Sequence, residues 1–246
     1  MANLKKVFSY SDNGPFLNIN EDDLAIDIKE NLFAVIDGHG GSGIGDLGSA
    51  LVKDILIKNY GNLVSDPDAT MPIFYDPQSS LEVNGLMNVL MLSNNSLIKN
   101  NENKDYSKKA GVSLIAGVSI ESTFHCVSVG NCFGVKINAN DLCPIFLPDG
   151  DYNFSMMQQC DNGQVFPYSF LGEKENFNYQ VKSVEVDFNE RILLMTDGIY
   201  QRISGLELLS LYKASEGNTE DLVNNLLALA NDRGNKDNQS IIVLEY

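Results

Sequence analysis

The chain has 246 residues, 43% of them hydrophobic, with 7 prolines and no long polar tract, so it can bury a full core and reads as one domain over residues 1–246. Lys and Arg number 17 against 33 Asp and Glu, a formal charge of −16, which excludes a nonspecific nucleic-acid binder and a protein that docks on anionic lipid. Such acidity suits divalent cations, and it equally suits a surface that only keeps the chain in solution.

The first residues, Met1-Ala2-Asn3-Leu4-Lys5-Lys6, lead into polar sequence, and nowhere do eighteen apolar residues run together. Neither a signal peptide nor a membrane span is expected. Apolar runs of strand length begin at Asp23–Ile28 and Leu32–Ile36, separated by the turn-like Lys29-Glu30-Asn31. After the glycine-rich turn Gly38-His39-Gly40-Gly41, Ile44, Leu47, Leu51, Val52, Ile55 and Leu56 line one face of a helix over about 43–59, with Ser42 as its N-cap. A second helix, antiparallel to the first, fits Leu86–Lys99, and the loop Asn62–Ser80 between them reads as an insertion.

Strands follow at Gly111–Ile120, Phe124–Val129 and Phe133–Ile137, with Gly130-Asn131-Cys132 as a short turn. Asp149–Leu171 has weak periodicity, carries Asp161-Asn162-Gly163 as a turn signal, and is expected to form a surface flap. Val181–Val186 and Ile192–Met195 are strands, Gly205–Tyr212 a short helix. Thr219 is expected to cap a helix carrying Leu222, Val223, Leu226, Leu227 and Ala230, ended by Gly234, before the last strand, Ser240–Leu244. Short turns in place of crossovers imply antiparallel sheets. Helices in pairs between blocks of strands imply an α+β layered domain.

Cys126, Cys132, Cys143 and Cys160 form no C-x-x-C pair, so reduced thiols and a cytoplasmic location are expected. Cys132 has only His39 and His125 as possible bases and reads as a core thiol.

The chemistry lies in the acidic residues. Phe33-Ala34-Val35-Ile36-Asp37-Gly38 is an apolar strand that ends on a carboxylate and a glycine, where the Gly38 carbonyl can join Asp37 on a hard cation. Taken alone, Asp37 reads equally well as strand-to-turn punctuation. Ile192-Leu193-Leu194-Met195-Thr196-Asp197-Gly198 repeats the device, Asp237 precedes the final strand, and Glu21 and Asp22 adjoin an early one. Carboxylates converging on one sheet edge would hold Mg²⁺ or Mn²⁺ without histidine ligands.

In this order Asn20-Glu21-Asp22, Val35-Ile36-Asp37-Gly38-His39-Gly40-Gly41, Val127-Ser128-Val129-Gly130-Asn131, Leu193-Leu194-Met195-Thr196-Asp197-Gly198 and Lys236-Asp237-Asn238 resemble the motifs of the metal-dependent protein phosphatases of the 2C type. The resemblance spans nearly the whole chain and takes in Phe170-Leu171-Gly172. It implies a four-layer αββα fold, a β-sandwich of two antiparallel sheets flanked by antiparallel helix pairs. It implies two Mn²⁺ or Mg²⁺ ions per site, with Asp37 bridging them, the Gly38 carbonyl on one, and Asp197 and Asp237 on the other. Glu21 and Asp22 would hold metal directly or through water, His39 would be the general acid, and Asn238 would fix its loop. The implied reaction is direct attack of a metal-activated water on a phosphoserine or phosphothreonine protein by a monomeric enzyme.

Two positions depart from the family pattern. Leu17 stands where the family usually has a phosphate-clamping arginine, with only Lys5 and Lys6 upstream to reach back as point charges. Asn131 stands where an aspartate commonly serves a third metal, so a third ion is expected to bind less tightly. Two readings therefore stay open: an active phosphatase with reduced activity, and a pseudophosphatase that keeps its metal sites as a regulatory module.

Overall fold

Alternation of side chains decides how this chain layers. The computed structural model describes residues 2–41, 43–65, 70–150 and 166–246. Among these, one sheet has the order β1-β10-β9-β6-β7, formed by Lys6–Asp12 (β1), Phe133–Ile137 (β6), Leu142–Phe146 (β7), Arg191–Met195 (β9) and Gln239–Glu245 (β10). The other runs β2-β3-β4-β5-β8, formed by Asp22–Asp27 (β2), Leu32–Gly40 (β3), Ala110–Ile120 (β4), Thr123–Val129 (β5) and Gln180–Glu185 (β8). Every pairing is antiparallel, as the short turns predict.

On β3, Phe33 and Val35 face the opposite sheet, and with Ile115 and Phe124 of their own sheet and Ile192, Leu194 and Ile242 of the other they form a core between the sheets. The intervening Leu32, Ala34 and Ile36 face outward and are covered by Val52 and Leu56 of α1 (Gly45–Val64) and by Leu86 and Leu90 of α2 (Leu81–Asn101). The other sheet is covered in the same way. Its Leu193, Ile241 and Val243 meet Leu208 of α4 (Gly205–Ala214) and Leu222 and Leu226 of α5 (Thr219–Asp232). Central strands are thus buried on both faces, which is why they read as unbroken apolar runs. The result is the expected αββα sandwich.

Buried asparagines fasten the loops to this frame. Asn88 takes the amides of Ile73 (3.0 Å) and Phe74 (3.2 Å) on its Oδ1 and donates to the Phe74 carbonyl at 2.7 Å. Asn101 both accepts from and donates to the Ala110 backbone, while Asn94 accepts from Gly172 and donates to Lys174. These bonds satisfy backbone groups that burial would otherwise leave unpaired.

Several boundaries differ from the sequence expectation. Strands β1 and β7 were not expected; they are the two edges of their sheet, β1 half-polar in sequence and β7 interrupted by Pro144, which an edge tolerates. Helix α2 begins five residues earlier than Leu86, at Leu81, because Ser80 caps it by accepting from the Val83 amide. Helix α1 extends to Val64, into the stretch expected as an insertion loop. Asn218, not Thr219, caps α5, accepting from the Glu220 and Asp221 amides, while the Thr219 hydroxyl donates to Glu245. Gly234 does end that region as expected, at φ +78°. Ser42, Asp66-Pro67, Cys160 and most of the expected flap, with its Asp161-Asn162-Gly163 turn, lie outside the described residues.

A capping box starts α4: the Glu207 amide donates to Ser204 Oγ, and Glu207 Oε2 accepts from the Ser204 amide at 2.9 Å. Arg233 grips the same carboxylate and donates to the Arg202 carbonyl, and these bonds hold the Glu207 carboxyl down at about 2, against an ordinary 4.5. A depressed carboxyl stabilises the fold fully above its unfolded value and loses that contribution as pH falls toward its folded one. Glu207→Gln should therefore flatten the loss of urea-unfolding stability between about pH 4.5 and 2 relative to wild type, and identical slopes would remove this pair from the acid response.

Candidate active site

Four segments of the chain deliver their carboxylates to one end of the sandwich: Glu21 with Asp22, Asp37, Asp197 and Asp237. Asp22 pairs with Asp37 in the β2–β3 register. Each continues the row of side chains that faces the opposite sheet: Phe33, Val35, Asp37 on one strand and Ile26, Leu24, Asp22 on the other. From across the sandwich Thr196, at the end of β9, donates its hydroxyl to Asp22 Oδ2 at 2.8 Å and so ties the two sheets together. Asp197 then opens the short turn α3 (Asp197–Tyr200).

Glycine permits the closeness of these segments. A Cβ on Gly198 would lie 1.9 Å from the Asn238 carbonyl oxygen, so only glycine lets the Asp197 segment lie against the Asp237 segment. A Cβ on Gly38 would lie 2.2 Å from Ser49 Oγ and 2.3 Å from the Gly45 carbonyl, so the same rule seats β3 against the start of α1. Glu21 serves that junction too, accepting from the Gly45 amide at 2.9 Å; α1 has no side-chain cap of its own, and this carboxylate meets an orphan donor at its positive end. Asn238 locks the corner, accepting from the Glu21 amide at 2.9 Å and donating to the Asn13 and Ile19 carbonyls.

A cavity of about 390 Å³ opens there, lined by Glu21, Asp37, Gly38, His39, Asp197 and Asp237 among others. Six of the seven residues singled out by sequence therefore share one cleft, and Asp22 lies buried behind Asp37. Burial, followed by the charges of Asp197, Asp22 and Asp237, pushes the Asp37 carboxyl well above its ordinary range. Asp22 is raised for the same first reason and Glu21 likewise, each also by the charge of Asp237. Among the described residues no Lys or Arg lines this cavity to balance them. Oxygen donors under mutual repulsion could hold hard divalent cations rather than soft ones. No three His, Cys, Asp or Glu side chains among the described residues already close on one point as a ready ligand cage. An open donor set of this kind suits an ion that keeps part of its water shell.

His39 forms part of the cleft wall with its ring edge-on to Phe170, centroids 4.5 Å apart. Its Nε2 is buried without a hydrogen-bond partner, against Gly111 and Phe170, and burial lowers its pKa to about 4. Asn131 also lines the cavity and donates to Asp197 Oδ2 at 3.3 Å. Cys132 is a buried core thiol, pushed well up by burial and by the nearby Asp37 charge, which rules it out as a nucleophile.

The two N-terminal lysines do not reach the cleft. Lys6 pairs with Glu245 at the far end of β10 from Gln239, roughly 20 Å away at strand spacing. Lys5 lies over the Phe188 ring, 3.6 Å from its centroid. Sequence reasoning also missed Thr196, Tyr106 and Phe166: the first is hidden inside a strand motif, and the other two come from loops whose proximity no local pattern encodes.

With that geometry in view, the comparisons with known proteins agree. The family model for protein phosphatase 2C matches residues 18–236. No curated protein matches the chain by sequence. Among solved structures, the Mycobacterium tuberculosis serine/threonine phosphatase PstP/Ppp superposes with a TM-score of 0.75 at 20% identity, covering 98% of this chain and 97% of that one. The catalytic domain of PstP in complex with 2 manganese ions gives 0.71 at 20%, covering 98% and 97%. PppA of Pseudomonas aeruginosa gives 0.74 at 22%, covering 98% and 96%. At these identities the likeness establishes the fold.

The glycine contacts make a direct prediction. Gly198→Ala should lower the urea midpoint by the equivalent of about 1–3 kcal/mol, the usual cost of overpacking, and shift the Asn238 amide resonance. An unchanged midpoint would mean that the approach of these two segments is not the constraint holding the corner.

Proposed function

Because the chain belongs to the protein phosphatase 2C family, we propose that it is a serine/threonine phosphoprotein phosphatase dependent on Mn²⁺ or Mg²⁺. The observation that carries this reading is the single cleft lined by Glu21, Asp37, Asp197 and Asp237 with the Gly38 backbone. Asp37 would be shared by two ions, the Gly38 carbonyl would serve one, and Asp197 and Asp237 the other. Glu21 and Asp22 would act directly or through water. The 2 manganese ions of the PstP complex support that count. When bound, such ions supply Lewis acidity toward phosphoryl oxygens and lower the pKa of water.

The chain's own residues orient and protonate. Thr196 and Asn238 hold Asp22 and Glu21 in place. His39 would give its proton to the leaving alkoxide from Nδ1, since Nε2 is closed off by Gly111 and Phe170. It is neutral in the free cleft, and a phosphate dianion brought against it raises its proton affinity. The reading extends to a phosphoprotein as partner, without nucleic acid or membrane, and to residues 1–246 working as one monomeric domain in the cytoplasm. The −16 charge supports the absence of nucleic acid, and no helix among the described residues is long and apolar enough to cross a membrane.

A second reading, a pseudophosphatase that binds metal and a partner, has its own observations. Leu17 replaces the family's arginine, the cavity lining holds no cation among the described residues, and Asn131 turns its amide donor toward Asp197 where a third ligand carboxylate is usual. A third ion would bind weakly for that reason.

Turnover of p-nitrophenyl phosphate by the purified protein, titrated with Mn²⁺, separates the two. The phosphatase reading expects metal-dependent turnover that Asp37→Asn lowers about 100-fold or more, and turnover surviving that change would sink the assignment. Leu17→Arg should lower the KM for a phosphothreonine peptide by supplying a bidentate clamp; an unchanged or raised KM would exclude the missing arginine as the limit on binding.

A further inference from the structure

A second cavity adjoins the carboxylate cleft and differs from it in chemistry. It has a volume of about 240 Å³, and His39, Gly40, Tyr106 and Phe170 line both spaces. Its own walls are mostly backbone and apolar. A Cβ on Gly41 would lie 2.4 Å from the Ser107 carbonyl, and one on Gly40 would lie 2.9 Å from the Lys109 carbonyl. The glycine turn therefore packs directly against the 107–109 segment and the Ile44 side chain, and this wall presents backbone to the cavity. Gly111 and the Phe170 ring close the inner end, and the Tyr106 ring, 86% exposed, stands at the mouth.

Three features decide the occupant. The lining charges are one of each sign, Lys109 and Glu173, so net charge selects nothing here, in contrast to the four carboxylates lining the adjoining cleft. The volume of about 240 Å³ falls below the roughly 300–1,000 Å³ usual for a small-molecule site and suits one large side chain. Because His39 and Phe170 wall both spaces, a residue next to a phosphorylated one would meet this cavity while its phosphate lay at the carboxylate cleft.

Resting on the phosphatase reading above, we propose that this cavity is a specificity subsite that receives an aromatic or large aliphatic side chain flanking the phosphoresidue of the substrate. Affinity there comes from apolar surface removed from water, against walls already built and needing no rearrangement.

The test uses two phosphothreonine peptides, identical except that the residues on both sides of the phosphothreonine are Phe in one and Ala in the other, with the full chain in Mn²⁺. The Phe peptide is expected to have a kcat/KM about tenfold or more above the Ala peptide. Ser107→Trp, on an exposed position facing the cavity, should bring that ratio toward one by filling the space, and Tyr106→Ala should lower it by removing a wall. Equal kcat/KM for the two peptides in the wild type overturns the subsite while leaving the phosphatase standing. A ratio untouched by both variants, each shown folded by circular dichroism, overturns it as well. Absence of turnover on either peptide is a failure of the phosphatase reading, and fluorescence anisotropy of labelled copies then decides the subsite. About tenfold tighter binding of the Phe copy, lost in Ser107→Trp, upholds it; equal Kd values overturn it.

Discussion

Mutual repulsion among the carboxylates at one end of the sandwich is the constraint to which the surrounding structure answers. Burial raises the proton affinity of Asp22 and Asp37, and neighbouring charges raise it further: Asp197, Asp22 and Asp237 act on Asp37, and Asp237 and Glu21 on Asp22. Left to themselves, such groups would move apart or stay protonated. They are kept together because their backbones are fixed by other forces: strand pairing sets Asp22 opposite Asp37, Thr196 reaches across from the other sheet, and glycines at 38 and 198 let neighbouring segments touch. A divalent cation held among the carboxylates would relieve that repulsion.

That scaffold is rigid for a simple reason. Both faces of the central strands are covered, one between the sheets and one under helices, so such a strand cannot slip by a residue without exposing one apolar row and burying polar groups. Where loops must cross this frame, single buried asparagines hold them by two or more bonds to backbone, as Asn88, Asn101 and Asn238 do. Neutral amides do this without adding to a charge that is already strongly negative.

Charge also divides the open face of the molecule. Four carboxylates line the one cleft, whereas the adjoining cavity is mostly apolar and carries one charge of each sign. The two share a wall built by His39 and Phe170, whose edge-on contact shields one nitrogen of the imidazole. Chemistry and selectivity are therefore adjacent but governed by different interactions.

Local pattern in the sequence was enough for the central strands, the helices of the two outer layers and the carboxylates at strand ends, because each depends on periodicity or on turn chemistry within a few residues. The family resemblance extended that to the layering. Edge strands β1 and β7 escaped, since an edge may be half-polar or carry a proline without penalty. The cap of α1 escaped for a different reason: its donor meets Glu21, 24 residues away in the chain. Which carboxylates would meet, that Asp22 would lie behind Asp37, that Lys5 and Lys6 would end at the far end of β10, and that Tyr106 and Phe170 would wall a second cavity were all settled by tertiary structure. Those facts depend on strand order and register across the sandwich, and the chain specifies them only through the summed burial of every layer at once.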